Sequence, residues 1–496
     1  MVLRVRTSLS PLDQLALLAW MTLLAGICLM SGLLGAPILP AVVAAVACLI
    51  VLTVFRPAKM LPFVVAMSIL VPVDVAASVF GLPRIGPTRT IIALFLLGLL
   101  IRSAFLRETM LDLKNLPLKI PIAIFLLFST VSATLSVAPK VSWFAIVGRV
   151  LLEQFVFFAI FYVAFGSRLG WHSIKKALYV STVLVCAFGL FERVTEWNPL
   201  LAFFPPAYEY PEFREGIMRL RSTFFHPIAL GCFLNFVYPF LLIDLFCERP
   251  FARKFFIGLL LVSTVLLLLS TVSRMPLLVA LLETALLFFW WARKTVQRQL
   301  ATLMLLTFGL GAVAIAYQSE TIVYRLISPA LPGGRVDEGS SEYYRVVLWK
   351  AVLNKIEGLR WLYGYGPNAF YLAEVEFNYD GFDRVLEAPD SNYIRLLLES
   401  GILGLASFLA LILAAMARIV RAGLAVGSSL QPLALACLGA VAGFALNNVT
   451  ASEFEMYPLG TLFWMLTALA IRLPGWRTLP GADALAHVPL QTRPSS

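Results

Sequence analysis

Arginine is the residue type that could do chemistry here, and three places hold it in suggestive company. Arg219 and Arg221 precede Ser222-Thr-Phe-Phe-His226-Pro-Ile-Ala-Leu-Gly231. Arg274 interrupts two hydrophobic runs, in Ser270-Thr-Val-Ser-Arg-Met-Pro276. Arg345 lies in the amphipathic run Ser341–Glu357. A guanidinium stays charged, and its fork matches phosphate oxygens. A charge placed between apolar runs is costly at membrane depth unless something needs it. One expectation is a clamp for a lipid-linked diphosphate. The other is interfacial arginines whose heads snorkel to water.

Carboxylates and histidine complete the chemical inventory. Asp390 stands in Asp390-Ser-Asn-Tyr393, nine residues before Glu399. A carboxylate beside apolar surface can act as a base. The same Asp-Ser-Asn run also reads as a helix N-cap, and both roles are compatible. Asp380, Asp383 and Glu387 add acidity, but their spacing matches no calcium loop, so no metal is expected. Of three histidines, His172, His226 and His487, only His226 stands beside the arginines. No phosphate loop, dinucleotide fingerprint or Ser-His-Asp set can be assembled, and no cofactor is expected. Arg149 and Glu153 are spaced i,i+4 within one apolar run, which predicts a shared helix face and a structural ion pair.

The elements that position these groups are membrane spans. The chain has 496 residues, 60% hydrophobic and 14% charged, with mean hydropathy +0.88. A soluble chain is about 45–50% apolar. With about 20 apolar residues per span, the sequence predicts an all-α, polytopic protein of about fourteen transmembrane helices. They fall near 13–33, 37–55, 60–79, 90–106, 119–136, 143–165, 176–192, 227–246, 255–272, 276–292, 299–317, 395–416, 430–448 and 456–472. The organisation is eleven helices over 1–317, with an outer segment near 192–226. A large outer, periplasmic loop over 318–394 follows, holding amphipathic helices. Three helices over 395–473 and a disordered cytoplasmic tail over 474–496 complete it. The run after Arg4 and Arg6 is too long for a signal-peptide core and is read as the first span.

Lys and Arg distribution supports this arrangement. With both termini cytoplasmic, each inside segment holds at least two basic residues, such as Arg56 and Lys59, or Arg418 and Arg421. The net charge of +11 is therefore a topology signal and not a nucleic-acid surface. The six cysteines lie in or beside apolar runs and form no disulfide or zinc pattern. From Gln318 to Ile394 there are seven basic and eleven acidic residues. A loop of that length inside a compact protein is functional or disordered, and its aromatic content argues against simple disorder.

Taken in order, these residues resemble the bacterial O-antigen ligase and O-antigen or exopolysaccharide polymerase family. Arg221 through His226-Pro227 to Gly231 is similar to its Arg, Asn/His-Pro, Gly pattern. Ser270–Arg274 looks like its Ser-x-Ser-Arg stretch. Arg345-x-x-x-Trp349 and Gly364-Tyr-Gly366 resemble its helix and turn, and Asp390-Ser-Asn-Tyr393 through Glu399 to Gly404 its loop exit. The resemblance implies a metal-independent, inverting membrane glycosyltransferase. It would act on a polyprenyl (undecaprenyl) diphosphate-linked oligosaccharide at the outer face of the inner membrane. It assigns Arg221, Arg274 and Arg345 to the diphosphate, with Arg219 and His226 beside them. Asp390-Ser391 stands where ligases of this family usually show His-Asn. That departure favours a polysaccharide polymerase in which Asp390 is the base, with a growing glycan as acceptor and a chain-length regulator or export machinery as partner. Ligation to lipid A core or protein is the alternative, and a glycolipid flippase is the rival of another class.

Overall fold

The computed structural model describes residues 38–71, 87–106, 115–203, 212–214, 217–246, 250–292, 341–379, 382–385, 390–427, 430–454, 456 and 458–478. It is overwhelmingly helical. Helices α1 (Ile38–Phe55), α2 (Pro57–Leu70), α3 (Pro87–Leu106) and α4 (Lys119–Thr134) lead into a continuous run. That run comprises α5 (Pro139–Ala145), a π-helical segment (Ile146–Val156) and α6 (Phe157–Ala164). Then come α7 (Arg168–Thr195), a short ribbon of β1 (Phe213–Arg214) and β2 (Ile217–Met218), α8 (Pro227–Phe246), α9 (Phe251–Ser270) and α10 (Arg274–Ala292). The C-terminal part holds α11 (Ser341–Lys355), α12 (Arg360–Tyr363), the hairpin β3 (Glu376–Tyr379) and β4 (Phe382–Val385), α13 (Asn392–Ala425), α14 (Gln431–Asn447) and α15 (Leu459–Arg472).

Among the described residues six helices are long and apolar enough to cross a membrane: 139–164, α7, α8, α9, α13 and 459–476. They correspond to six of the expected spans. Six more, near 37–55, 60–79, 90–106, 119–136, 276–292 and 430–448, are helical over α1, α2, α3, α4, α10 and α14. The expected spans near 13–33 and 299–317, and the tail beyond Thr478, lie outside the described residues.

The main core is centred on α8, which is buried along almost its whole length, and on α15, whose Phe463 and Trp464 are sealed from solvent. Phe444 and Phe454 pack with Phe463 at ring-centroid separations of 5.9 and 4.8 Å. Prolines mark the local logic. Pro227 opens α8, where a missing N–H costs nothing. Gly231 lets α8 approach Pro276 of α10 so closely that an added Cβ would lie 2.7 Å from its ring.

A second, smaller core lies over the ends of the bundle. Leu348 and Val352 of α11, with Ile356 just after it, pack with Ala373, Val375 and Phe377 and with Leu397 and Leu398 of α13. The amphipathic run predicted from the sequence thus forms a helix that covers the first turns of α13. Those turns belong to this cap layer because α13 is broken at Gly401, where φ is 65° and ψ is −170°. The expected single span from 395 is therefore two segments meeting at Gly401.

The break frees carbonyls that an unbroken helix would satisfy internally. The turn after α12 takes them: the Tyr365 N–H donates to the Leu398 carbonyl at 2.9 Å, and the Gly366 N–H to Glu399 at 2.7 Å. Ser132 of α4 also donates to the Glu399 carbonyl, at 2.8 Å. The two chains cross backbone to backbone. A Cβ on Gly364 would lie 2.3 Å from the Glu399 carbonyl, and one on Gly401 would lie 2.3 Å from that of Leu362.

Gly401→Ala should therefore undock the cap. A backbone conformation of this glycine-only kind costs other residues about 1–3 kcal/mol before the clash is counted. Limited proteolysis in lipid nanodiscs should cut the Ser341–Asp390 segment at least about tenfold faster in the variant, the ratio that follows from 1.4 kcal/mol of opening free energy. Unchanged cutting would mean that the crossing is not what holds the cap.

Candidate functional site

The arginine-bearing segment between α7 and α8 is held from below by a residue that no motif singled out. Glu192, buried near the end of α7, accepts from the backbone N–H of Ser222 at 2.7 Å and of Arg221 at 3.3 Å. Asn198 steadies it by donating to its other oxygen at 3.0 Å and to the Ser222 carbonyl at 3.0 Å. A buried carboxylate that accepts several N–H donors is well satisfied. It fixes the positive-φ backbone at Ser222, where φ is 51°. The only sequence hint was an acidic residue ending an apolar run.

Arg219 and Arg221 are both buried. Arg219 donates through Nε to the Thr271 carbonyl at 3.0 Å and through Nη2 to the Ser273 hydroxyl at 2.9 Å. The Leu220 N–H donates to the Ser270 carbonyl at 3.1 Å. The first two sequence motifs are thus one structure, the 219–221 segment lying along the 270–273 turn. Arg274 opens α10 directly after that turn, half-buried. Glu212 forms ion pairs with Arg219 and, at 3.8 Å, with Arg221.

His226 closes this segment against α8. Its Nδ1 accepts from the Ile228 N–H at 3.2 Å, which leaves Nε2 to carry the proton of the neutral ring. Burial, with smaller pushes from Arg219, Arg221 and Arg345 against a pull from Glu212, lowers its pKa to about 4. The imidazole is neutral at physiological pH, with the proton on Nε2.

On the cap side, Arg345 lies 3.9 Å from Asp390, measured from Nε to Oδ2. That is an ion pair without a hydrogen bond. The Arg345 Nε is buried with no hydrogen-bond acceptor among the described residues, and so is Nε1 of Trp349 one turn on. Residues four apart share a helix face, so α11 holds two buried N–H donors still to be matched. Unmatched buried donors carry a desolvation cost that an incoming acceptor removes.

Asp390 is not the helix cap. Ser391 caps α13, its side chain accepting from the Ile394 N–H at 3.5 Å. The N-cap role expected for the Asp-Ser-Asn run thus falls to Ser391, and Asp390 is held just outside the helix with φ at 45°. Its carboxyl is pushed up by burial and pulled back by Arg345. Some 40% of the side chain stays exposed. Glu399 lies deeper, paired with Arg395 at 3.0 Å, and belongs to the helix break. Asp380 and Glu387 lie outside the described residues.

Arg149 and Glu153 also reach partners on other elements. Both sit in the π-helical segment, whose i→i+5 bonding widens the turn. Glu153 pairs with Arg89 of α3 at 2.8 Å. Arg149 donates to Oδ1 of Asn368 at 2.9 Å, in the cap turn. Arg395 reaches the same oxygen at 3.4 Å. Arg149 is thus part of what anchors the cap.

Residues 259–409 match the family model described as O-antigen ligase. The matched stretch begins in α9 and takes in Arg274, Arg345, the glycine turn, Asp390 and the break at Gly401. Comparison with curated proteins found no match. The O-antigen ligase match supports the family resemblance drawn from the motifs. With the long apolar helices, it supports an O-antigen ligase-type function in a multi-pass membrane protein. Arg219, Arg221 and His226 lie before the matched stretch, so their role rests on the geometry above.

A rate that needs ionised Asp390 has its acid limb above the ordinary aspartate value of 3.8. Removing the neighbouring cation raises the carboxyl further, so Arg345→Gln should move that limb to higher pH in a rate–pH profile. A limb that stays in place or moves down would show that Asp390 is not the titrating group.

Proposed function

We propose that this chain is a metal-independent, inverting membrane glycosyltransferase that polymerises lipid-linked oligosaccharide. The donor is an oligosaccharide on polyprenyl diphosphate, undecaprenyl diphosphate in a bacterium. Arg219, Arg221, Arg274 and Arg345 hold the diphosphate, with the neutral His226 donating a hydrogen bond from Nε2. Asp390 takes the proton of the acceptor hydroxyl as its oxygen attacks the anomeric carbon. The new C–O bond forms on the face opposite the breaking C–O bond to phosphate. The diphosphate leaves with the bonding electrons, and the proton ends on Asp390. Preorganised cations meet the charge that develops on the leaving group, which is where electrostatic catalysis gains most.

What carries the reading is one observation. Arg345 and Trp349 present buried N–H donors with no acceptor among the described residues, and the Arg345 Nε lies 3.9 Å from a carboxylate excluded from capping duty. An anionic donor and a hydroxyl acceptor are the ligands that such a set suits. The reading also places about fourteen spans in the inner membrane with both termini cytoplasmic. It makes residues 318–394 a periplasmic loop, flanked by eleven helices before and three after. The family description favours a second reading, ligation of a finished glycan to lipid A core or protein.

Purified protein in lipid, given polyprenyl-diphosphate oligosaccharide as the only sugar, should yield a product ladder on a gel. Asp390→Asn and Arg274→Ala should each cut the yield by about 100-fold or more at normal expression, the scale of losing a general base or a leaving-group contact. A single transfer that requires lipid A core or protein would establish the ligase reading instead. Full product from Arg274→Ala would remove the enzyme reading, and movement of the donor across vesicles without product would favour a flippase.

A further inference from the structure

The β1–β2 ribbon does more than deliver two arginines. Phe213 pairs with Met218, so the next rung sets Glu212 opposite Arg219. The Arg219 N–H indeed donates to the Glu212 carbonyl at 2.8 Å. Just beyond the ribbon, Arg219 and Arg221 both meet the Glu212 carboxylate. Oε1 bonds the Arg219 guanidinium and Oε2 lies 3.8 Å from that of Arg221. The arginine side chains are 9% and 4% exposed, whereas that of Glu212 is 33% exposed. The carboxylate therefore closes the solvent side of a buried cation pair.

We propose that Glu212 is an internal anion that occupies a phosphate position on the Arg219–Arg221 pair until a diphosphate displaces it. It thereby sets the affinity for the donor. The proposal rests on the reading of these arginines as diphosphate ligands. Two buried guanidinium groups stripped of counter-charge are strongly destabilising, so the pair needs an anion in every state. Glu212 supplies one negative charge on a short ribbon. A diphosphate brings more charge and enough oxygens to meet both guanidinium forks. Exchange of one anion for the other keeps the pair neutralised throughout. The carboxylate weakens donor binding by competing for the cations. It helps polyprenyl diphosphate to leave by returning to them.

Inorganic pyrophosphate is the probe, titrated calorimetrically into the full chain in nanodiscs. Glu212→Gln should bind it about tenfold more tightly than wild type, a step of about 1.4 kcal/mol. Glu212→Asp withdraws the charge by one methylene and should fall between, which keeps the test open if the Gln variant fails to fold. KM for the lipid-linked donor should fall in the same order, and kcat should fall with it as release slows. Equal or weaker pyrophosphate binding in the Glu212 variants, with wild type still binding, overturns the proposal. No binding by any of them, with donor KM unchanged in Arg219→Gln, removes the clamp reading itself.

Discussion

The carbonyl oxygens of Leu398 and Glu399 are the constraint on which the cap layer depends. In a continuous helix they would accept from the N–H groups four residues on. Gly401 turns the chain away, and the oxygens would be orphaned among apolar side chains at a cost of several kcal/mol each. The turn at Tyr365 and Gly366 resolves this by donating two backbone N–H groups. Only glycine at 364 and 401 lets the backbones come close enough. The break in α13 and the seating of the cap are thus one event. It has a directional consequence: α11, joined to the crossing by the small core around Leu348 and Leu398, brings Arg345 over the mouth of the bundle.

The second constraint is electrostatic. Buried arginines must be neutralised or must await an anion. Here the charges are divided between elements far apart in sequence. Glu192 holds the backbone of the arginine segment, and Glu212 holds its guanidinium groups. Asp390 faces Arg345 from outside α13. The imidazole of His226 is kept neutral by burial amid this field. The pattern keeps positive charge available without leaving it bare, which suits a site that must admit a polyanion and later release it.

Much of this was legible in the sequence, because local patterns carried it. The amphipathic spacing of Ser341–Glu357 became α11, the Gly-Tyr-Gly run became the crossing turn, and the 219–221 and 270–273 motifs became neighbours. Other features were illegible for physical reasons. The π-helical segment has no signature in residue spacing, and the bonds of Arg149 to Asn368 and of Glu153 to Arg89 join elements far apart in sequence. Glu192 and Glu212 act through backbone and cross-strand contacts that only the fold creates. The Asp-Ser-Asn run offered three capping residues. Which one caps depended on the backbone at Asp390, where a positive φ leaves the task to Ser391.

The central claim is that bundle and cap arginines form one anion site, and a double-mutant cycle tests it most directly. The quantity is kcat/KM for the lipid-linked donor in wild type, Arg221→Gln, Arg345→Gln and the double variant. Groups that act as a unit are strongly non-additive. The account predicts that the double variant loses little more than the worse single variant. Losses that multiply would mean that the two arginines serve separate sites, and would contradict it.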